Sequence, residues 1–267
     1  MKITILYEDA NVLVLNKPAG ISVHGDGKAK GSKTVADFIL KNYPKLKNVG
    51  EPFEGDNGAK IPRPGIVHRI DKETSGVLVV AKNQKTFNFI KKQFQKHKVV
   101  KTYWALVYGF VPKTQNSLAS GLRARITAPI GRSPNDIRMW TAGRGARGSG
   151  EDGEARESVT EYNTLARFTD TKNKTLAKSP SHQFSLVEVY PKTGRTHQIR
   201  VHMRYINHPI VSDPLYRGSH KQALGMKRLA LHAKSIRLEV AHGKSIEVES
   251  LLPADFKKVV KDYKLQD

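Results

Sequence analysis

The sequence predicts an α+β fold with a large mixed or mostly antiparallel sheet, flanked by helices and loops. Two observations support this prediction. Short apolar, β-branched runs outnumber the stretches with helical periodicity. Few short loops join a helix to a strand, which disfavours a regular alternation of helices and parallel strands. The 267 residues contain no internal repeat and no clear linker, so we expect one domain over residues 1–267.

Strand patterns recur along the whole chain. Residues 3–17 are typical of strand, turn and strand, because two apolar runs flank the polar residues 8–11. Residues 77–81, "VLVVA", form a β-branched run that indicates a buried strand. Similar runs predict strands at residues 99–109, 183–191, 228–240 and 244–250, with short strands between residues 121 and 167. A Gly/Arg-rich segment at residues 142–153 is expected to be a flexible loop.

Four stretches have helical patterns, at residues 34–44, 83–98, 196–206 and 253–263. Thr34 and Asp37 form a capping-box pattern at the first of them. Each of the others begins with a residue suited to a helix start: Asn83, Thr196 and, in the first turn, Pro253.

Positive charge dominates the composition. The chain has 46 Lys and Arg against 24 Asp and Glu, a formal net charge of +22. A surface adapted to heat or salt would carry many acids as well, whereas acids are scarce here. Three stretches, 82–101, 123–147 and 189–212, are rich in Lys or Arg and contain at most one acid. We therefore expect a polyanionic partner, namely nucleic acid, held along its phosphate backbone.

Several classes of protein are disfavoured. The chain has no cysteine, so disulfides, a thiolate nucleophile and cysteine-ligated zinc are excluded. The amino-terminal residues are too polar for a signal peptide, and no apolar run approaches the ~20 residues needed to cross a bilayer. We expect a cytoplasmic monomer without a membrane partner.

Two clusters carry reactive side chains. Asp71 follows Arg69 and directly precedes the buried-strand pattern, where a carboxylate is expected to be paired. Such a carboxylate is either a structural ion pair or a nucleophile or general base held by a cation, and both interpretations stay open. In the second cluster, His197 and His202 are five residues apart and diverge by about 140° on a helix. We therefore expect them to pack and form hydrogen bonds, and predict no metal site.

Both clusters resemble signature segments of one enzyme family. "RPGIVHRIDKETSGVLVVAK" (63–82) and "VEVYPKTGRTHQIRVHMRYINHPIVSD" (187–213) resemble those of the RluA-type pseudouridine synthases. "NVLVLNKPAGISVH" (11–24) resembles the segment that opens their catalytic domain. The resemblance runs from about residue 5 to the carboxyl terminus. Asn207 and Ser212 stand where the family usually has Gly, and neither change affects the catalytic positions.

The resemblance implies the pseudouridine synthase catalytic fold and the isomerisation of uridine in RNA to pseudouridine, without a cofactor or metal. Asp71 would be the catalytic carboxylate and Arg195 the cation paired with it. Tyr103 matches the tyrosine that stacks on the target base and takes part in proton transfer. Three chemical routes are compatible with these residues. The carboxylate attacks the ribose, attacks the base, or assists a glycal route.

Further residues are predicted to bind the substrate. By resemblance, Arg69 helps to hold the RNA open once the uridine is flipped out, and Leu231 lines the base pocket, with core packing as an equal interpretation. His68 and Thr74, which flank Arg69 and Asp71, are placed in the same substrate-binding group. The expected contacts to the RNA backbone are Lys91, Lys92, Lys96 and Arg200.

The target RNA has two interpretations. The spacer at residues 43–65 resembles the branch that modifies large-subunit ribosomal RNA, whereas the lack of a small amino-terminal RNA-binding module fits other branches, including those acting on transfer RNA. We predict large-subunit ribosomal RNA, with transfer RNA as the alternative. A non-catalytic RNA-binding protein of the same fold is a third possibility, but it would be expected to have lost Asp71, Arg195 or Tyr103.

Overall fold

The computed structural model describes residues 2–25, 33–54, 58, 60–112, 123–147, 155–171 and 182–265. The chain forms two compact units: residues 1–101 with 233–251 make unit 1, and residues 102–232 with 252–267 make unit 2. Half of the predicted flexible loop, residues 148–153, lies outside the described residues. The single catalytic domain expected from the sequence stays a prediction.

Unit 1 contains the strands that carry the first signature segment. In chain order they are β1 (Thr4–Glu8), β2 (Val12–Lys17), the short β3 (Phe53–Glu54) and β4 (Lys60–Ile61), and β5 (Ser75–Ala81). β1 pairs antiparallel with β2, and β2 pairs antiparallel with β5. All seven residues of β5 are buried, as expected for a strand in the middle of a sheet.

Two helices cover this part of the chain. α1 (Val35–Asn42) begins with the predicted capping box, in which Thr34 and Asp37 exchange hydrogen bonds. α2 (Gln84–Gln95) begins at Asn83, whose side chain accepts a hydrogen bond from the Thr86 N–H at 2.9 Å. Its buried Ile90 joins an apolar cluster with Val77 and Val79 of β5. Both helix starts are therefore confirmed.

Unit 2 is built on four antiparallel strands. β6 (Val100–Tyr108) begins in unit 1 and is followed by β7 (Ala124–Thr127), β8 (Ile130–Arg132), β9 (Trp140–Ala142), β10 (Val159–Thr169) and β11 (Gln183–Pro191). The spatial order is β6, β11, β10, β7. β8 and β9 form a separate antiparallel hairpin.

The predicted helix of the second signature segment starts later than expected. α3 spans Gln198–Tyr205, and its first flanking residue is His197, at φ 55°, instead of Thr196. The His197 side chain makes no capping hydrogen bond. The reason is tertiary: the Gln198 side chain donates to the Val159 carbonyl oxygen and the Thr160 hydroxyl of β10. It also accepts a hydrogen bond from the Arg195 N–H at 3.0 Å, so Gln198 holds the turn before the helix.

The carboxyl-terminal part returns to both units. β12 (Leu231–Ala241) begins in unit 2 and continues in unit 1, where it lies beside β5 and pairs antiparallel with β13 (Lys244–Glu249). α4 (Ala254–Asp262) belongs to unit 2 and buries Phe256 and Val259. Pro253 flanks this helix and does not lie in its first turn.

Glycine at position 76 is required by the packing of β5 on β12. Gly76 has φ +112°, and a Cβ atom there would lie 2.1 Å from the Ala233 carbonyl oxygen. Any side chain would separate the two strands directly after the segment that carries Asp71. The sheets and the four helices within the described residues confirm the predicted α+β class. Among the described residues, no helix is both long and apolar enough to span a bilayer.

Candidate active site

Asp71 lies in a short turn that leads into β5. The Thr74 N–H donates to the Asp71 carbonyl oxygen at 3.1 Å, which closes the turn. Asp71 is half-buried, and Thr74 is 1% exposed. The buried strand β5 begins at Ser75, directly after Thr74, so the backbone at Asp71 has little freedom. The turn can therefore present a carboxylate in a defined position, as a preorganised site requires.

Lys17, at the end of β2, braces this turn through hydrogen bonds to backbone oxygens. Its side chain is completely buried. The Lys17 Nζ donates to the Lys72 carbonyl oxygen at 2.9 Å, and also to the carbonyl oxygens of Ile21 at 2.8 Å and Pro18 at 3.1 Å. The Gly20 N–H donates to the same Lys72 oxygen at 2.8 Å. Residues 18–21 and the Asp71 turn are thus tied together through one amine.

His68 connects the segment before Asp71 to the sheet. Its Nε2 accepts a hydrogen bond from the Val79 N–H at 2.9 Å, and its ring stacks on Phe94 with centroids 4.9 Å apart. Burial, together with the positive charge of Lys101, lowers the pKa of His68 to about 3. The ring is therefore neutral, and because Nε2 accepts, the proton resides on Nδ1. A role of His68 in binding the substrate remains a proposal.

Two more residues of the first signature segment differ in their surroundings. Arg69 is exposed, two residues before Asp71. Thr74 is buried, and its Oγ1 has no hydrogen-bond partner among the described residues. An exposed guanidinium can meet RNA directly, whereas the hydroxyl of Thr74 is enclosed.

Arg195 belongs to unit 2 and is held by Gln198. The Gln198 Oε1 accepts from the Arg195 N–H at 3.0 Å and from the Thr193 hydroxyl at 2.7 Å. The Gln198 Nε2 donates to the Val159 carbonyl oxygen at 2.9 Å and to the Thr160 hydroxyl at 3.0 Å. Gln198 is 4% exposed, so all of its polar atoms serve this network. The turn that carries Arg195 is therefore fixed to β10.

The Arg195 guanidinium lies in a positive environment. Its Nε donates to the Glu157 carbonyl oxygen at 3.3 Å. Burial lowers the pKa of Arg195, and the nearby charge of Arg156 lowers it further. Arg195 remains cationic at neutral pH, because an arginine side chain titrates far above it. This part of unit 2 is suited to an anionic group.

Tyr103 faces the side of the unit 2 sheet that α3 covers. It stands opposite Val189 of β11, which in turn stands opposite Tyr162 of β10. Residues directly opposite one another share a face, and Thr160, two positions from Tyr162, lies on that face as well. The α3 residues Gln198 and His202 both bond to Thr160. Within unit 2, Tyr103 and the α3 segment therefore share one side of the sheet.

Leu231 and Arg200 are more enclosed than expected for contacts to RNA. Leu231 is 3% exposed and belongs to the main apolar cluster of unit 2. Arg200 is 5% exposed and forms a bidentate ion pair with Asp213, with both nitrogen–oxygen distances 2.8 Å. The expected contact of Arg200 with the RNA backbone does not fit this position, because a phosphate would have to displace a fully buried carboxylate.

The histidines of the second segment form hydrogen bonds, as predicted. The His197 Nδ1 is 2.8 Å from the Tyr216 hydroxyl. His202 is completely buried, with Nδ1 2.8 Å from the Thr160 hydroxyl and Nε2 3.1 Å from the Ala128 carbonyl oxygen. In the described part of the chain, no three His, Asp or Glu side chains are grouped as metal ligands would be.

The lysines of α2 lie on the surface of unit 1. Lys92 and Lys96 are exposed, and Lys91 forms an ion pair with Glu51 at 2.6 Å. A surface ion pair of this kind is weak and can exchange Glu51 for a phosphate. Their predicted contact with the RNA backbone is compatible with this exposure and stays a prediction.

Comparison with known proteins identifies the family. Residues 11–205 match the sequence model of RNA pseudouridylate synthases, a range that includes Asp71, Tyr103 and Arg195. The chain belongs to this family. Family members isomerise uridine to pseudouridine in RNA, so the resemblance of the two signature segments is confirmed.

Relatives of the synthase extend over nearly its whole length. It is 34% identical over 264 residues to an uncharacterized RNA pseudouridine synthase of Bacillus subtilis, covering 98% of this chain and 73% of that protein. It is 35% identical over 261 residues to the ribosomal large subunit pseudouridine synthase D of Borreliella burgdorferi, covering 98% of this chain and 65% of that protein. The chain thus spans about two thirds to three quarters of these relatives.

Solved structures show the same fold. The human RNA pseudouridylate synthase domain containing 4 has a TM-score of 0.65 and 26% identity, covering 96% of this chain and 91% of its own. The human RNA pseudouridylate synthase domain containing 1 has a TM-score of 0.67 and 24% identity, covering 94% of this chain and 84% of its own. The pseudouridine synthase fold predicted from the signature segments is therefore confirmed.

Sequence reasoning missed two residues that position the synthase's candidate catalytic groups. Lys17 was assigned only to the end of a strand, and Gln198 only to a helix. The lysine in the apolar run "VLVLNKP" is a signal for Lys17, because its ammonium group must either reach solvent or find hydrogen-bond acceptors within the protein. No comparable signal marks Gln198.

Proposed function

We propose that this synthase isomerises uridine to pseudouridine in large-subunit ribosomal RNA. The supporting observation is the match of residues 11–205 to the family, which contains all three candidate catalytic residues. The choice of RNA is supported by relatives named ribosomal large subunit pseudouridine synthase D, at 35% identity in Borreliella burgdorferi and in Xanthomonas campestris. The proposed enzyme is a cytoplasmic monomer with a single catalytic domain, which sedimentation and cell fractionation test.

In the proposed reaction, the bond between uracil N1 and ribose C1′ breaks and a bond between uracil C5 and C1′ forms. The proton lost from C5 is balanced by one gained at N1, so no atom is added or removed. Asp71 acts as the catalytic carboxylate and Arg195 as the cation that supports it. Tyr103 stacks on the base and moves a proton, while Arg69 holds the RNA open after the uridine is flipped out.

Mapping of pseudouridine tests the choice of RNA. Total RNA from cells with and without this gene is compared by a method that locates each pseudouridine. We expect the loss of one or a few sites in large-subunit ribosomal RNA, restored when the gene is returned. Loss of sites in transfer RNA only would overturn the ribosomal assignment, and no change at any site would overturn the proposed activity.

Asp71→Asn tests the carboxylate. The substitution keeps the shape of the side chain and removes its charge, so we expect a folded protein that binds RNA as the wild type does and forms no detectable pseudouridine. Single-turnover assays, RNA-binding titrations and thermal melts are measured together. A structural ion pair would instead lower the melting temperature and reduce activity only through unfolding.

Glu73→Gln is the matched control for this experiment. It removes a carboxylate from the same turn, two residues from Asp71. We expect Glu73→Gln to retain most of the activity. A folded Asp71→Asn protein that still isomerises uridine would refute the proposed role of Asp71.

A further inference from the structure

The backbone that carries Arg63 is a rigid part of unit 1. It lies between Pro62 and Pro64, whose rings restrict the backbone on both sides. The carbonyl oxygen of Gly65, the residue after Pro64, accepts a hydrogen bond from the Ala81 N–H of β5 at 2.8 Å. Gly65 has φ +64°, and a Cβ atom there would lie 2.1 Å from the Ala81 carbonyl oxygen. The base of the Arg63 side chain is therefore fixed to the sheet.

The Arg63 guanidinium is incompletely satisfied. The residue is half-buried, and its Nε is buried with no hydrogen-bond partner among the described residues. Enclosing a donor without an acceptor costs free energy, and a folded chain seldom keeps such a group without a reason. Because Arg63 as a whole is only half-buried, a small rotation of its side chain would bring the guanidinium to a ligand that supplies the acceptor.

The charges around Arg63 are unbalanced. Burial lowers the pKa of Arg63, the positive charge of Arg69 lowers it further, and the carboxylate of Glu51 raises it. Both oxygens of Glu51 are already bound by the Lys91 Nζ, at 2.6 Å each. This group therefore holds three cations, Arg63, Arg69 and Lys91, against one carboxylate. With the carboxylate of Asp71, two residues from Arg69, counted as well, the net charge is +1, which still favours an anion beside the two arginines.

We propose that Arg63 binds a backbone phosphate of the RNA beside Arg69, and so continues the basic surface of α2 to the Asp71 turn. The inference rests on the proposed function, because the phosphate belongs to the RNA substrate. A guanidinium is suited to this task, since its planar fork matches two phosphate oxygens. Arg69 is two residues from Asp71, so their Cα atoms are at most about 7 Å apart. The bound phosphate is therefore one that flanks the target uridine.

The first test compares RNA binding by Arg63→Gln and the wild type over a range of salt concentrations. We expect affinity to fall roughly tenfold and the slope of log K against log salt to decrease by about 0.7 to 0.9, the value for one lost phosphate contact. Arg237→Gln is the matched control, because Arg237 is an exposed arginine of β12 in the same unit. Unchanged affinity and slope in a folded Arg63→Gln protein would overturn the inference.

A double-mutant cycle tests whether Arg63 and Arg69 act on the same part of the RNA. We expect Arg63→Gln combined with Arg69→Gln to lose less affinity than the product of the two single losses. Strictly multiplicative losses would contradict a phosphate bound beside both residues.

A measurement on the wild type covers the case in which Arg63→Gln does not fold. The Nε–Hε resonance of Arg63, assigned by its absence in Arg63→Lys, is followed by NMR while a short uridine-containing RNA is added. We expect it to shift as a phosphate approaches, and an unmoved resonance at saturation would overturn the inference. Pseudouridine formation on the same RNA separates the two proposals: an active wild type with an unmoved Arg63 resonance rejects only the role of Arg63, whereas an inactive wild type rejects the proposed function.

Discussion

Tyr103 has two proposed roles, stacking on the target base through its ring and moving a proton through its hydroxyl. It lies on β6, on the face of the unit 2 sheet that α3 covers. Tyr103→Phe keeps the aromatic face and removes the hydroxyl. If the hydroxyl moves a proton, we expect single-turnover rates to fall ~100-fold or more, the usual scale for a positioned acid or base.

RNA affinity should change little in Tyr103→Phe, because stacking on the base is retained. Tyr103→Leu provides the comparison, since it removes both the ring and the hydroxyl and should weaken binding as well. A Phe variant with the full rate would leave stacking as the role of Tyr103 and exclude proton transfer by it.

His68 predicts a pH dependence of stability. Its pKa is lowered to about 3 in the folded protein by burial and by Lys101, against 6.5 for an ordinary histidine. Between these values the unfolded chain binds a proton that the folded chain excludes. The contribution of His68 is therefore complete above pH ~6.5 and is lost as the pH falls, by up to about 1.4 kcal/mol per pH unit.

Chemical unfolding at a series of pH values checks this dependence. We expect His68→Gln, which cannot take up a proton, to lose stability less steeply than the wild type between about pH 6 and pH 4. His242→Gln is the control, because His242 is exposed in the same unit. Parallel pH curves for the wild type and His68→Gln would show that His68 is charged in the folded state.

At the scale of elements, the Asp71 turn depends on a residue from a different strand. The buried Lys17 of β2 holds the carbonyl oxygens of Lys72, Ile21 and Pro18. Lys17→Met keeps most of the side-chain length and leaves these oxygens without the amine. We expect the free energy of unfolding to fall by about 2 kcal/mol or more, since the carbonyl oxygens of Ile21 and Pro18 lose their donor at about 1–3 kcal/mol each, while that of Lys72 keeps the Gly20 N–H.

The loss of Lys17 should also affect the reaction more than the binding of RNA. A loosened turn places the carboxylate less accurately, so we expect the single-turnover rate of folded Lys17→Met to fall while RNA affinity is largely kept. Lys72→Met is the control for stability, because its exposed side chain is removed while the backbone oxygen that Lys17 binds is retained. Equal stability of both variants would contradict the bracing role of Lys17.

At the scale of the whole molecule, the charge of +22 predicts strongly salt-dependent binding. The slope of log K against log salt should be roughly −0.7 to −0.9 for each phosphate neutralised. Reversing the charge of Lys91 and Lys92 on α2 and of Lys96 directly after it should flatten this slope and leave the single-turnover rate at saturation nearly unchanged. A collapse of that rate would instead place α2 in the catalytic machinery.

Helix α4 offers a control with the same change in net charge. Its residues Lys257, Lys258 and Lys261 are all exposed. Reversing these three should flatten the slope less than reversing those of α2. Equal effects would show that RNA responds to the total charge of the protein and has no preferred contact with α2.

Much of the fold could be predicted because its signals are local. The capping box of Thr34 and Asp37 and the cap at Asn83 depend on residues three positions apart, so the start of α1 and of α2 could be read directly. The start of α3 could not, because the turn before it is held by Gln198, whose side-chain nitrogen donates to two oxygens of β10. Its cap was therefore placed at Thr196 in error.

The sequence by itself determined the α+β class, the family and the identity of the candidate catalytic residues. Strand patterns, helix caps and signature segments all depend on residues that are close together in the chain. The tertiary structure alone decided which polar side chains are buried and what satisfies them. Lys17 meets Lys72 across 55 positions of the chain, and Arg200 meets Asp213 across 13. The pairing of Arg200 is why its expected contact with RNA does not fit its position. Such contacts depend on strand register and packing, which bring together side chains that no local pattern connects.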